Sequence, residues 1–308
     1  MAKEKKSKPN IFEMFFDEAK KVNWNEVNKM TNRPISVGLV GSKENIGTIT
    51  DWLYSMKYNL SFGAMPTVIS SMKKSKKCLC FFDIDKEIDE KLLKSMSFCI
   101  VDEQSQDKVR RLQIPNYLFN SDSEDFCQEI LGDNEELLYP LAYNFPVFRP
   151  VVARGEIQKA SIQNGAWAVG TTAPNIIPGP QQVVTVPIEA ISDFAVLTAN
   201  EIKLLFSLQG ISGYKANPLK AAAEYVIVAS LAKLAQTAAT NTVGKIPAGA
   251  GLALKGAIAY AFTMAIGEAL FFYMITGTKV GKDFFSKAMP EFIAQGKQLF
   301  GKKNRKAK

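Results

Sequence analysis

Apolar positions fall in short blocks between 31 and 136 and in long helical stripes after 137. The blocks PISVGLVG, PTVISS, CLCFFDID, SFCIVDEQ and NYLFNSD each run into a polar turn. Continuous apolar runs of this length predict strands buried on both faces. Between several of them lie segments with helical spacing, such as IGTITDWLYSM and DEKLLKSM. Strands alternating with helices predict an α/β unit with a parallel sheet over 31–136. From 137 to 288 no strand series continues. Alanine- and glycine-rich helical segments take over, broken at NIIPGPQQ, LQGISGYKANP and VGKIPAGAG, which predicts an all-α unit. Two basic pieces flank these units. Residues 1–30 form a leader in which Ile11, Phe12, Phe15 and Phe16 share one helical face. Such a helix lies in a membrane interface or docks on its own protein. Residues 289–308 form a lysine-rich tail.

The most apolar stretch is 256–278, whose single charge is Glu268. About 20 apolar residues suffice to span a bilayer. A charge near a helix centre costs roughly 2.5–3.5 kcal/mol for Asp, Lys or Arg on the insertion scale, so Glu268 calls for a partner. Lys233, on the preceding segment AAAEYVIVASLAKLAQTAA, is the candidate, and Asp193 is a further polar group of the same kind. Gly256, Ala259, Thr263 and Gly267 recur at three- and four-residue steps and make a smooth stripe for close helix packing. A membrane hairpin within 219–277 and the central helix of a soluble bundle both satisfy this pattern. Phe271, Phe272 and Tyr273 close the stretch, and aromatics beside lysines suit a membrane interface. Lys297, Lys302, Lys303, Arg305 and Lys306 would then contact anionic headgroups. The same residues suit nucleic-acid binding. That is the weaker reading, since no RNA-binding motif accompanies them.

Composition narrows the chemistry. The chain has 308 residues, 47% hydrophobic and 22% charged, with a net charge of +8. It contains no histidine, which removes the commonest general base and excludes Ser-His-Asp and Cys-His mechanisms within the chain. The four cysteines, Cys78, Cys80, Cys99 and Cys127, read as buried thiols in a reducing compartment. The charged N-terminus predicts no signal peptide.

One loop carries candidate chemistry. A phosphate-binding loop places G-x-x-x-x-G-K-[ST] between a strand and a helix. Here ISVGLV leads into GSKENIGT. Gly41 matches the first glycine, Ile46 replaces the second, Gly47 stands in place of the lysine, and Thr48 keeps the hydroxyl that would hold Mg²⁺. The helix is expected to start at Thr48. Gly41, Gly47 and Thr48 are the candidate nucleotide ligands.

This strand–loop–helix and the strands after it resemble the Era-like branch of the small GTPases. CLCFFDID and SFCIVDEQS sit where that family has two sheet strands. Asp102, Glu103, Gln104 and Ser105 stand in place of N-K-x-D, and no D-x-x-G precedes CLCFFDID. NYLFNSDSEDFCQEIL is similar to the last strand, loop and helix, with Ser121 and Glu124 nearest the pattern. The resemblance implies a degenerate P-loop GTPase-like sheet domain that has lost hydrolysis.

The second half resembles a bacterial helical family of unknown function. Its members occur behind Era-like GTPase domains or in inner-membrane proteins encoded beside a GTPase. Phe145, Pro146 and Arg149 match its F-P-x-x-R element, and Asn164 with Pro174 to Pro178 its helix and Pro-rich turn. Asp193, Leu197 and Thr198 match an aspartate before a leucine-threonine helix. Ile246, Pro247 and Gly251 match an I-P-x-x-G turn, and Thr263, Ala265, Gly267, Glu268 and Ala269 a T-x-A-x-G-E-A helix. Glu201 stands where the family has glutamine.

The resulting expectation is a non-enzymatic pseudo-GTPase on the cytoplasmic face of the inner membrane, or in the cytoplasm. It has no catalytic residue and no resident cofactor. A companion GTPase or a second copy is its partner, and Arg149 caps or pairs at the junction of its two units. The alternatives are a divergent protein that still binds GTP or GDP with Mg²⁺ through Gly41–Thr48, and a soluble scaffold.

Overall fold

The computed structural model describes residues 22–56, 65–120, 123–170, 193–224 and 251–301, with Ala19 and Val226 besides. The leader face Ile11–Phe16, the turns at 174–178 and 246–247, and Lys233 lie outside the described residues.

Four strands, β1 (Val37–Gly41), β2 (Leu79–Asp83), β3 (Phe98–Val101) and β4 (Asn116–Leu118), form one parallel sheet in the order β2-β1-β3-β4. β1 is buried at every position. Val37 lies opposite Leu79 and Phe98, and Gly38 opposite Cys80 and Cys99. Side chains alternate between the two faces. One face carries Val40, Phe82, Cys99 and Val101 against Leu93, Met96, Val109 and Ile114. These come from α4 (Glu90–Leu93), α5 (Glu103–Arg111) and their flanks. The other face carries Val37, Leu39, Phe98, Ile100 and Tyr117, which pack on α2 (Lys43–Tyr54) and α6 (Ser123–Asp133). This is a Rossmann-like doubly covered sheet.

The helical half follows without a break in the core. A short α7 (Leu138–Asn144) and a 3₁₀ turn at Pro146–Phe148 lead into α8 (Arg149–Ala168). Then come α9 (Asp193–Ile211), α10 (Gly251–Thr276) and α11 (Lys282–Gly301). By length and composition α10 can cross a membrane over Ala253–Thr276, yet 67% of its most apolar window is buried here, between α8, α9 and α11. Its small residues face α8. A Cβ on Gly256 would lie 2.9 Å from the Gly165 carbonyl oxygen, and one on Gly267 would lie 2.7 Å from Ile157. Phe285, Met289, Ile293 and Gly296 are the buried stripe of α11, which runs through position 289 unbroken. The described part of the basic tail, 289–301, is therefore a packed helix.

Three elements differ from expectation. PTVISS, read as a strand, belongs to α3 (Met65–Ser75). The β-branched Thr67, Val68 and Ile69 favour a strand locally, but Ser71 and Ser75, one helical turn apart, are both buried against tertiary partners. α1 (Trp24–Thr31) lies where only a leader was expected, and it packs on α9 and α7. Its Asn28 pairs with both backbone groups of Ala216, 188 positions away. Finally, α2 starts at Lys43, not Thr48.

Candidate functional site

In open α/β sheets, ligands bind beyond the carboxyl ends of the strands where the strand order reverses. Here that point lies between β1 and β3, at Gly41, Ser42 and Asp102. Ser42 is the N-cap of α2, and its hydroxyl accepts a hydrogen bond from the Asn45 N–H at 3.2 Å. That cap nucleates the helix one residue after the strand, so no four-residue loop exists to cradle a phosphate.

The anion position at the start of α2 is filled from within. The Ser42 N–H donates to Asp102 Oδ2 at 3.0 Å, and Asn45 Nδ2 donates to the same oxygen at 2.8 Å. The other carboxylate oxygen accepts from the Ser105 N–H at 2.9 Å and from the Ser105 hydroxyl. Asp102 thus caps its own helix α5 and that of α2 with one charge. Burial pushes its carboxyl pKa up, but the hydrogen bonds from Ser105, Asn45 and Ser42 outweigh burial and leave it lowered. Gly41 makes room for this arrangement, since a Cβ there would stand 2.6 Å from Asp102 Oδ2.

Of the three predicted nucleotide ligands, only Gly41 lies at this point. Gly47 is exposed inside α2, with nothing within 4 Å of where its Cβ would be. Thr48 is exposed on the same helix and its hydroxyl donates back to the Glu44 carbonyl at 3.2 Å. Gly47 and Thr48 are therefore helix residues, not members of a loop. Asp83, at the end of β2, pairs with Lys86 at 3.2 Å. Among the described residues no three of His, Cys, Asp and Glu converge on a metal position.

A second polar centre lies where the two halves meet. The Arg149 side chain is fully buried. Its Nε donates to the Ala142 carbonyl at 3.1 Å, and Nη2 donates to Ser71 Oγ at 2.5 Å and the Tyr143 carbonyl at 3.4 Å. The hydrogen-bond acceptors are the carbonyl end of α7 and a serine of α3, and no carboxylate joins them among the described residues, so the negative end of a helix dipole holds the cation. Burial lowers its pKa to about 10, which leaves it charged at neutral pH. Gly213, at φ +86°, completes the clamp: its Cβ would lie 2.5 Å from Nη2. Lys74 donates to the Gly213 carbonyl at 3.1 Å. Phe145 is buried beside the Phe148 and Tyr54 rings.

In the bundle, Asn164 Nδ2 donates to Thr263 Oγ1 and Asn200 Nδ2 donates to Asn164 Oδ1, both at 2.8 Å, which joins α8, α9 and α10. Glu268 is partly buried. Burial raises its pKa, and Arg154 on α8 opposes that. Asp193 is the first residue of α9, and its side chain lies outside the described set. Lys297 is exposed on α11, while Lys302, Lys303, Arg305 and Lys306 lie outside the described residues. Sequence reasoning missed the double cap of Asp102 and the serine and glycine that receive Arg149. Only the caps left a signal: Ser42 and Asp102 each stand between a strand and a helix start. No family model, curated protein or solved structure matches the chain.

Proposed function

We propose that this chain is a non-enzymatic interaction protein that attaches to an anionic membrane surface and docks a second protein through its Rossmann-like unit. The observation that carries the first half of this reading is the Asp102 carboxylate at the N-terminus of α2. A nucleotide phosphate would have to displace it, break four hydrogen bonds and then face a like charge. The kinship to GTPases rests on sequence resemblance alone. On this reading the unit keeps a GTPase-like outline and uses its surface rather than its crevice, with a companion GTPase or a second copy as partner.

The membrane half of the reading is supported by charge. Exposed Lys282, Lys287 and Lys297 lie on α11, and the lysine-rich segment 302–308 follows it. Each lysine held near an anionic leaflet contributes about 1 kcal/mol. The apolar α10 supplies a bundle core on which α11 is mounted.

Calorimetry of the full chain with GTP and with GDP, Mg²⁺ present, tests the first half. The expected result is no saturable heat. Saturable binding would replace this reading with that of a divergent nucleotide-binding protein.

A further inference from the structure

Positive charge along the chain has a third concentration besides the two ends. Positions 52–82 contain no Asp or Glu and five lysines, at 57, 73, 74, 76 and 77. Four of these sit on α3 or in the turn after it, and α3 is turned in an unusual way. Its buried stripe holds Ser71 and Ser75: Ser71 accepts from Arg149, and the Ser75 hydroxyl contacts that of Tyr54. Lys74 is drawn inward, to the Gly213 carbonyl and over the Tyr143 ring. The outward stripe holds Ile69, Met72 and Lys73, at the i, i+3 and i+4 positions of one helical face, and exposed Lys76 and Lys77 follow in the turn after the helix. Ile69 is 48% and Met72 42% exposed. Small polar side chains therefore face the protein, and large apolar ones face outward among lysines. Further along, the edge strand β2 presents Phe81, 58% exposed, on the sheet face that carries α2.

We infer that the outward face of α3 with the turn after it, formed by Ile69, Met72, Lys73, Lys76 and Lys77, is a docking surface for an anionic lipid bilayer. This rests on the membrane reading above and gives it a site separate from the C-terminal lysines. Aliphatic side chains ringed by lysine ammonium groups suit the headgroup boundary, where the apolar groups enter and the charges meet phosphates. A nucleic-acid surface would call for arginine forks or aromatic platforms, and the stripe has neither. The helix is held in place by Arg149, so the face is presented by a rigid mount.

The test is co-sedimentation of the full-length protein with vesicles of phosphatidylcholine alone and of phosphatidylcholine mixed with phosphatidylglycerol. Three variants are compared: K73E/K76E/K77E, I69S/M72S, and a tail variant with Lys297, Lys302, Lys303, Arg305 and Lys306 changed to Glu. The substituted α3 side chains are exposed, and circular dichroism checks that each variant is folded. Expected are binding to the anionic vesicles only, a loss of at least about tenfold in affinity with K73E/K76E/K77E, and a smaller loss with I69S/M72S. If both α3 variants bind like the parent while the tail variant fails, the α3 inference is overturned and the membrane reading stands. If the parent binds no vesicle, both fall. If a single-stranded RNA binds through the same lysines and vesicles do not, the lipid assignment is overturned.

Discussion

Asp102 joins two helix starts, and its worth can be measured. It receives hydrogen bonds from Ser42, Asn45 and Ser105 as a carboxylate. A lost N-cap costs about 0.5–2 kcal/mol, and bonds to a charged group are stronger than neutral ones. Asp102→Ala leaves the Ser42 and Ser105 amides without their acceptor, so a loss of about 2–4 kcal/mol in urea unfolding at neutral pH is expected. The pH dependence follows from the sign of the shift. The folded pKa is lowered, so the contribution is complete above the unfolded aspartate value of about 3.9 and is lost as pH falls through the folded value. The gap between parent and variant should close in acid. A gap that stayed constant with falling pH would mean that the charge is not what holds the two helices. Arg149 meets its burial differently, through two carbonyls at the end of α7 and the Ser71 hydroxyl.

At the scale of elements, what was legible depended on whether local and tertiary preferences agreed. The strands β1 and β3 were legible because both faces are buried and their sequences are apolar throughout. The stripe Gly256–Thr263–Gly267 was legible as a packing face, and it meets Gly165, Asn164 and Ile157 of α8. α3 was not legible, because its serines are matched to Arg149 and Tyr54, partners distant in sequence. The start of α2 was misplaced because glycine spacing outweighed a cap signal: Ser42 followed by Glu44 in the first turn marks a helix at once. Gly47 is then an interior helix glycine with open space around it. Gly47→Ala should therefore stabilise the protein by about 1 kcal/mol, read as a higher urea midpoint at unchanged slope. A glycine held in a phosphate loop would respond with a loss instead.

At the scale of the whole molecule, the sequence divides near 137 while the core does not. One buried cluster runs from Leu39 and Ile49 through Phe126 and Phe148 to Phe206 and Leu270. Trp52 of α2 packs edge-on against Phe148, with ring centroids 5.8 Å apart, and against Phe126. Arg149 binds α3 of the sheet half to α7 and α8 of the helical half, and α1, which precedes the first strand, packs on α9. Neither half can be exposed to water without uncovering aromatic surface of the other. Each buried Phe or Trp uncovered forfeits roughly 1.5–3 kcal/mol, and several are shared. The chain should accordingly unfold as one cooperative unit despite its two composition classes. Tryptophan fluorescence, reporting on Trp24, Trp52 and Trp167, and far-ultraviolet circular dichroism, dominated by the bundle helices, are expected to give coincident transitions. A fragment ending at 136 is expected to show no sharp thermal transition, because Trp52, Phe126 and Ile130 lose the cover of Phe148 and its neighbours. Two separated transitions, or a fragment that melts cooperatively, would show that the sheet unit is stable alone and that the shared core is a docked interface rather than a common interior.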